Sequence, residues 1–203
     1  MAARGSIGLT LVVMALVAAF AAPAAQARGN LLGLNPQCGP TSKAFAQFGD
    51  YRSYSFGANG GLETGSLGWA LSGGAAVVPG NESYYVHSRY DSHSLSLPEG
   101  STVTTPAMCM GTFSTWVRFF AKSSGSGSLR VQVQYRSLLG AVVGLLDVRT
   151  LDASSSWQPV PAVLNLQSLN CLLGQGLLQL KLTAIGGSVQ VDDFYVDPLA
   201  SSD

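Results

Sequence analysis

His87 and His93 flank Asp91, and Ser88, Ser92 and Ser94 lie alongside them. These are the residue types of a nucleophilic triad, in which an imidazole takes a hydroxyl proton and a carboxylate orients the imidazole. At strand spacing His87, Asp91 and His93 share one face. The stretch is rich in Ser and Tyr, however, and reads as a solvated loop. Glu63, Glu82, Glu99 and six aspartates between 50 and 193 are available as acids, but their spacing does not mark out a glycosidase pair. No Gly-x-Ser-x-Gly elbow, His-Glu-x-x-His, P-loop or dinucleotide fingerprint occurs. No catalytic residue is assigned.

Binding chemistry has better candidates. Arg130, Gln132, Gln134 and Arg136 alternate with Leu129, Val131, Val133 and Tyr135. In a strand Gln132 and Gln134 point the same way, about 6.5–7 Å apart. Two planar amides at that separation can address neighbouring hydroxyls of one sugar ring. Arg118 and Trp116 alternate in the same manner, as do Gln179 and Lys181, and Tyr84, Tyr85 and Tyr90 form a loop cluster able to rim a site. The competing reading makes the Gln and Arg residues a solvated strand face. It also makes at least two of Trp69, Trp116 and Trp157 packing residues.

Positioning such side chains requires strands. Gly73 to Val78 leads into the turn signal Pro79-Gly80-Asn81. Ser94 to Leu97, Thr115 to Lys122, Leu129 to Arg136 and Leu178 to Thr183 all alternate, and Ser123 to Ser128 is a Gly/Ser loop. Ile185-Gly186-Gly187-Ser188 reads as a hairpin turn into Val189 to Val196. Leu138 to Leu146 is too apolar for a loop and reads as a strand buried on both faces, or a hairpin. Asn165 to Leu173 is a short helical or coil excursion. Past the first residues no amphipathic helix of about ten residues stands out. The pattern predicts an all-β, two-sheet antiparallel sandwich.

Two segments resemble a known family. Asn59-Gly60-Gly61-Leu62-Glu63-Thr64-Gly65, followed by Gly68-Trp69, is similar to the opening strand of β-jelly-roll carbohydrate-binding modules with the galactose-binding-like fold. Val189 to Val196, with its Asp192-Asp193 pair, resembles their last strand, and Ser92 to Leu97 their Ser-Leu strand. Leu62 stands where those modules carry Phe. The resemblance implies a jelly roll over residues 59–198. Residues 28–58, rich in Gly, Pro, Asn and Ser, lie outside that pattern and read as an irregular extension packed on the domain, with one strand near Tyr51–Phe56, and 199–203 read as a tail. It also implies a structural Ca²⁺ held by Glu63 and Asp192, with Asp193 as the alternate. In a regular strand the two aspartates point to opposite faces, so at most one of them coordinates. The other reading has Glu63 capping a turn.

Residues 1–27 read as a signal peptide: Arg4, an apolar stretch from Ile7 to Phe20, and Ala25-Gln26-Ala27 as cleavage site. The mature chain of roughly 175 residues is one domain. It is expected in a secreted or extracytoplasmic place, without stable membrane insertion. Of 11 basic and 11 acidic residues only Arg4 lies in the leader, so the mature net charge is about −1. Such a balance offers no footprint for nucleic acid. Export permits a disulfide. Cys38 lies in a coil-rich stretch that needs anchoring and Cys109 follows a turn at Pro106, whereas Cys171 sits in an apolar run, so Cys38–Cys109 is the expected bridge. The leading expectation is a non-catalytic module binding carbohydrate through Arg118, Gln132, Gln134, Trp116 and Tyr85. A structural or protein-interaction sandwich of the envelope is the alternative, and a secreted hydrolase the third.

Overall fold

The computed structural model describes residues 38–109, 116–137, 141–162 and 176–197. The leader, Cys171 and the excursion at 165–173 lie outside the described residues.

The alternating segments pair into two sheets, and the central strands of the first are buried on both sides. Sheet I holds β1 (Thr41–Ser42), β2 (Tyr54–Phe56), β4 (Ala76–Pro79), β5 (His93–Leu97), β7 (Trp116–Ser123), β10 (Gln158–Pro159) and β12 (Val189–Asp197). Sheet II holds β3 (Ala70–Ser72), β6 (Thr102–Thr104), β8 (Ser128–Ser137), β9 (Val142–Asp152) and β11 (Gly176–Ile185), in the order β3-β6-β11-β8-β9. All pairings are antiparallel. This is the expected all-β jelly-roll sandwich. Leu129, Val131 and Val133 of β8 and Leu178, Leu180 and Leu182 of β11 form one core layer. Val117, Phe119 and Ala121 of β7 with Val189 and Val191 of β12 form the other. Each Val, Leu or Phe among them, fully buried, contributes about 1.5–3 kcal/mol of transfer free energy.

Two expectations need correction. Ile185–Ser188 does turn sharply, with Gly186 and Gly187 at φ 69° and 155°, but it is not a hairpin. β11 pairs with β6 and β8, and β12 with β2, β5 and β7, so the turn passes the chain from one sheet to the other. The apolar faces of β11 and β12 meet across the core rather than edge to edge. The apolar segment ending at Leu146 enters β9, which forms a hairpin with β8 but is not buried on both faces. β9 ends the order of sheet II, and Val142, Val143, Leu145 and Leu146 are exposed, Val143 by 61%.

Among the described residues, those from 41 to 56 pack against sheet I. β2 pairs with β12, and Phe45 and Tyr54 cover the outer face of sheet I with Phe120, Trp157 and Tyr195. Cys38 and Cys109 are bonded, with Cα atoms 5.0 Å apart.

Candidate functional site

The outer face of sheet II carries the amides. Leu129, Val131 and Val133 point to the core, so Arg130, Gln132 and Gln134 point out. Register sets Gln134 opposite Gln179, Gln132 opposite Lys181 and Arg130 opposite Thr183. Lys181 in turn faces Thr104 of β6. The Gln134 and Gln179 amides touch at 3.3 Å, and Gln179 donates to the Thr105 carbonyl. Arg130 donates twice to Asp147, at 2.7 and 2.6 Å. The result is a ladder of amides and hydroxyls across three strands, with charged groups at its margin. Gln132 and Gln134 are only 6% and 7% exposed, held among their neighbours rather than free in solvent.

The structure does not bring the other sequence candidates to this face. Arg118 lies on β7, in sheet I. Its Nε donates to the Val160 carbonyl, Nη1 donates to Asp50 at 2.7 Å, and its guanidinium lies over Phe45. It is a buried brace for the N-terminal extension. Trp116, half-buried, sits beneath the Arg52 guanidinium, also on sheet I. Tyr85 is exposed in the loop before β5, with φ 51°. Alternation assigns a residue to one side of its own strand and says nothing about which sheet that strand joins. Trp69 and Trp157 are buried packing residues.

A second centre lies where β12 forks. β12 pairs with β5 up to Val191 and with β2 from Tyr195 onward. Between Asp192 and Tyr195 the register against β7 slips, and Asp193 takes φ 49°. This bulge breaks the strict alternation assumed for the two aspartates. Both turn to the 80–92 loop: Asp192 Oδ2 accepts the Glu82 N–H at 2.9 Å, and Asp193 Oδ2 accepts the His87 N–H at 3.2 Å. Glu82, fully buried, accepts the Tyr84 and Val86 N–H groups. Asp91 is paired with His87 Nδ1 at 2.6 Å, and that imidazole stacks on Phe56.

Four carboxylates thus meet, and Glu82, Asp192 and Asp193 among them are fully buried. Burial, then the charge of Asp193, pushes Asp192 up to about 9. Burial, then Glu82, pushes Asp193 up to about 7. Burial likewise raises Glu82. Asp193 Oδ1 is buried without a hydrogen-bond partner. One ligand atom from each of His87, Asp91 and Asp193 lies within 4.8 Å of the others. Gly61 keeps this space open, because a Cβ there would stand 3.1 Å from Asp193 Oδ1 and 3.5 Å from an Asp91 oxygen. An orphaned carboxylate oxygen, a neighbouring acid and an open cradle fit a hard cation.

Glu63 and Asp192 have separate partners. Glu63 accepts the N–H groups of Ser92 and His93 and pairs with His93 Nδ1 at 3.0 Å. Burial raises its pKa, but the hydrogen bonds from His93 and Ser92 outweigh burial and hold it below the usual range. Asp192 Oδ1 accepts the Asp193 N–H.

No protein-family model matches the sequence, and no curated protein does. Among solved structures the chain is similar to β-sandwich carbohydrate-binding modules. One is the CBM22-1 xylan-binding domain of Paenibacillus barcinonensis Xyn10C, at 16% identity and TM-score 0.44, over 66% of this chain and 88% of that one. Another is TmCBM61 in complex with β-1,4-galactotriose, at 19% identity and TM-score 0.44, over 68% and 94%. A third is the CBM22-1–GH10 part of Clostridium thermocellum Xyn10B, at 13% and 0.47, over 67% of this chain but 27% of that one. No ligand and no residue role follows from likenesses of this size.

The opening motif has its own structural work. Asn59, at φ 49°, donates from Nδ2 to the carbonyls of Gly65 and Leu67, its Oδ1 accepts the Thr64 N–H, and its carbonyl accepts the Trp69 indole N–H. A Cβ on Gly60 would stand 2.7 Å from the Phe194 carbonyl oxygen. The motif thereby seats Gly61 against the acidic centre. Asn59→Ala is expected to cost about 2 kcal/mol in denaturant unfolding, since three hydrogen bonds go and Ala resists positive φ. A loss below about 0.5 kcal/mol would mean that water replaces the amide. The sequence offered Asp91 as a triad candidate and Glu82 as one of several available acids but did not join either to Asp192 and Asp193, because nothing local in a Ser/Tyr-rich loop signals that its acids are buried against a distant strand.

Proposed function

We propose that this chain is a non-catalytic extracytoplasmic binding module that takes carbohydrate on the outer face of sheet II. The observation that supports this most is the registered ladder Gln132, Gln134, Gln179 and Lys181, flanked by Thr104 and Thr183. Paired planar amides and hydroxyls in a fixed row suit sugar hydroxyls, which need donors and acceptors at fixed spacing rather than a net charge. The Cys38–Cys109 bond suits an oxidising compartment. The same reading includes a structural Ca²⁺ held by Asp91 and Asp193, which would neutralise the acidic centre and tie the last strand to the 80–92 loop.

A glycan array with the folded domain tests the reading, compared with the Gln132→Ala, Gln134→Ala double variant. Binding of neutral glycans is expected for the wild type and lost in the variant, with stability lowered by about 1 kcal/mol. A wild type that binds no neutral glycan leaves the interaction-domain reading, which the exposed apolar edge of β9 favours.

A further inference from the structure

Beyond the segment that covers Phe120 and Tyr195, the outer face of sheet I opens into a recess of about 440 Å³. That size falls in the range of small-ligand sites. Three of its side chains are set by strand register: Gln190 of β12 lies opposite Ser96 of β5 on one side and Lys122 of β7 on the other. Their chain neighbours Val189, Val191, Leu95, Leu97 and Ala121 are buried in the core, so these three face outward. Directly opposed Cβ atoms stand about 4.5–5.5 Å apart, so the row presents an alcohol, an amide and an ammonium in line. Ser124, Ser155 and Ser188 complete the wall.

The groups of this recess are unspent. Among the described residues no side-chain hydrogen bond ties up the Ser96, Ser124, Ser155 or Ser188 hydroxyl or the Gln190 amide, whereas Ser123 is consumed by the Ser188 carbonyl and the Gly125 and Gly127 N–H groups. Lys122 pairs with no carboxylate among the described residues. Its Nζ instead lies 4.7 Å above the Trp157 ring, which is 6% exposed. That contact holds the ammonium in place without neutralising it. Hydroxyls and an amide alone would suit a neutral sugar. One fixed, unneutralised cation among them selects a polyol that carries a single negative charge.

We infer that this recess is a binding site for an acidic monosaccharide unit of the hexuronate class, with the carboxylate on Lys122 and the ring hydroxyls on the serines and Gln190. It is on the opposite sheet from the Gln132–Gln134 ladder and does not depend on it.

Calorimetric titration with sodium glucuronate, glucose and sodium sulfate tests the site. Glucuronate is expected to bind about tenfold more tightly than glucose or sulfate, and Lys122→Gln to remove that advantage, because a charge-assisted hydrogen bond is lost. Gln190→Ala is expected to weaken glucuronate as well, and serves alone if the Lys122 variant does not fold. The Gln132→Ala, Gln134→Ala variant is expected to bind glucuronate as the wild type does, so failure of the sheet II reading leaves this result standing. Absence of glucuronate binding, binding unchanged in both recess variants, or sulfate binding as tight as glucuronate would each overturn the assignment.

Discussion

Millimolar Ca²⁺ is expected to raise the thermal midpoint of the metal-free domain by about 5–10 °C, given an excess of about 100-fold over the dissociation constant. The reason is the carboxylate centre. Burial and then the charge of Asp193 push Asp192 up to about 9, and burial and then Glu82 push Asp193 up to about 7. Folding therefore favours their protonated forms. Such groups contribute stability that is complete below the ordinary carboxylate pKa and is lost as pH rises through the folded values. In EDTA the midpoint is expected to fall from about pH 5 to pH 9, more steeply below about pH 7, where both groups lose a proton on unfolding, than above it, where only Asp192 does. A bound cation reverses this, because it pays for the ionised forms that the fold otherwise penalises. Asp193→Asn keeps a residue that tolerates positive φ and removes one charge. This variant is expected to be more stable than wild type in EDTA at pH 8 and insensitive to Ca²⁺. Differential scanning calorimetry across pH, with and without Ca²⁺, reads all of these effects. Identical midpoints in EDTA and Ca²⁺ at pH 8 would exclude the cation site.

The Cys38→Ala, Cys109→Ala variant is expected to lose about 4 kcal/mol in the chain-entropy account of cross-links. The two cysteines are 71 residues apart in sequence, so the bond removes much freedom from the unfolded chain. It also anchors the start of the described chain to the core, where Cys109 is buried and Cys38 packs against the main cluster. The loss should appear as a lower denaturant midpoint with a similar or larger slope. A peptide map without reductant is expected to show Cys38 joined to Cys109 and Cys171 alkylated as a free thiol. A change of stability under about 1 kcal/mol would show that the extension is held by Phe45, Tyr54 and the Arg118–Asp50 pair without the bond.

Much of this architecture is legible residue by residue. Leu129 to Arg136 sorts into core and outer faces as its alternation predicts, and the Cys38–Cys109 bond follows from coil, turn and apolar context. The limits are equally particular. Gln132 and Gln134 face outward as expected but are largely covered, because cross-strand neighbours such as Gln179 crowd them. Arg118 shows the same alternation as Gln132 yet belongs to the other sheet, where it braces the extension.

Local periodicity, turn residues and cysteine context therefore determined an all-β antiparallel sandwich, the inner face of its main strands and one disulfide. These properties depend on a residue and its near neighbours in the chain, where side-chain direction alternates with period two. The tertiary structure alone decided which sheet each strand joins, that β9 lies at an edge, and that Ile185–Ser188 crosses between sheets. It alone brought Glu82, Asp91, Asp192 and Asp193 to one centre, through a bulge at the fork of β12, and aligned Ser96, Gln190 and Lys122 across three strands. Those groups are up to about a hundred residues apart, as with the Glu82–Asp192 contact at a separation of 110. Pairing over such distances is set by burial of whole sheet faces, and no local pattern records it.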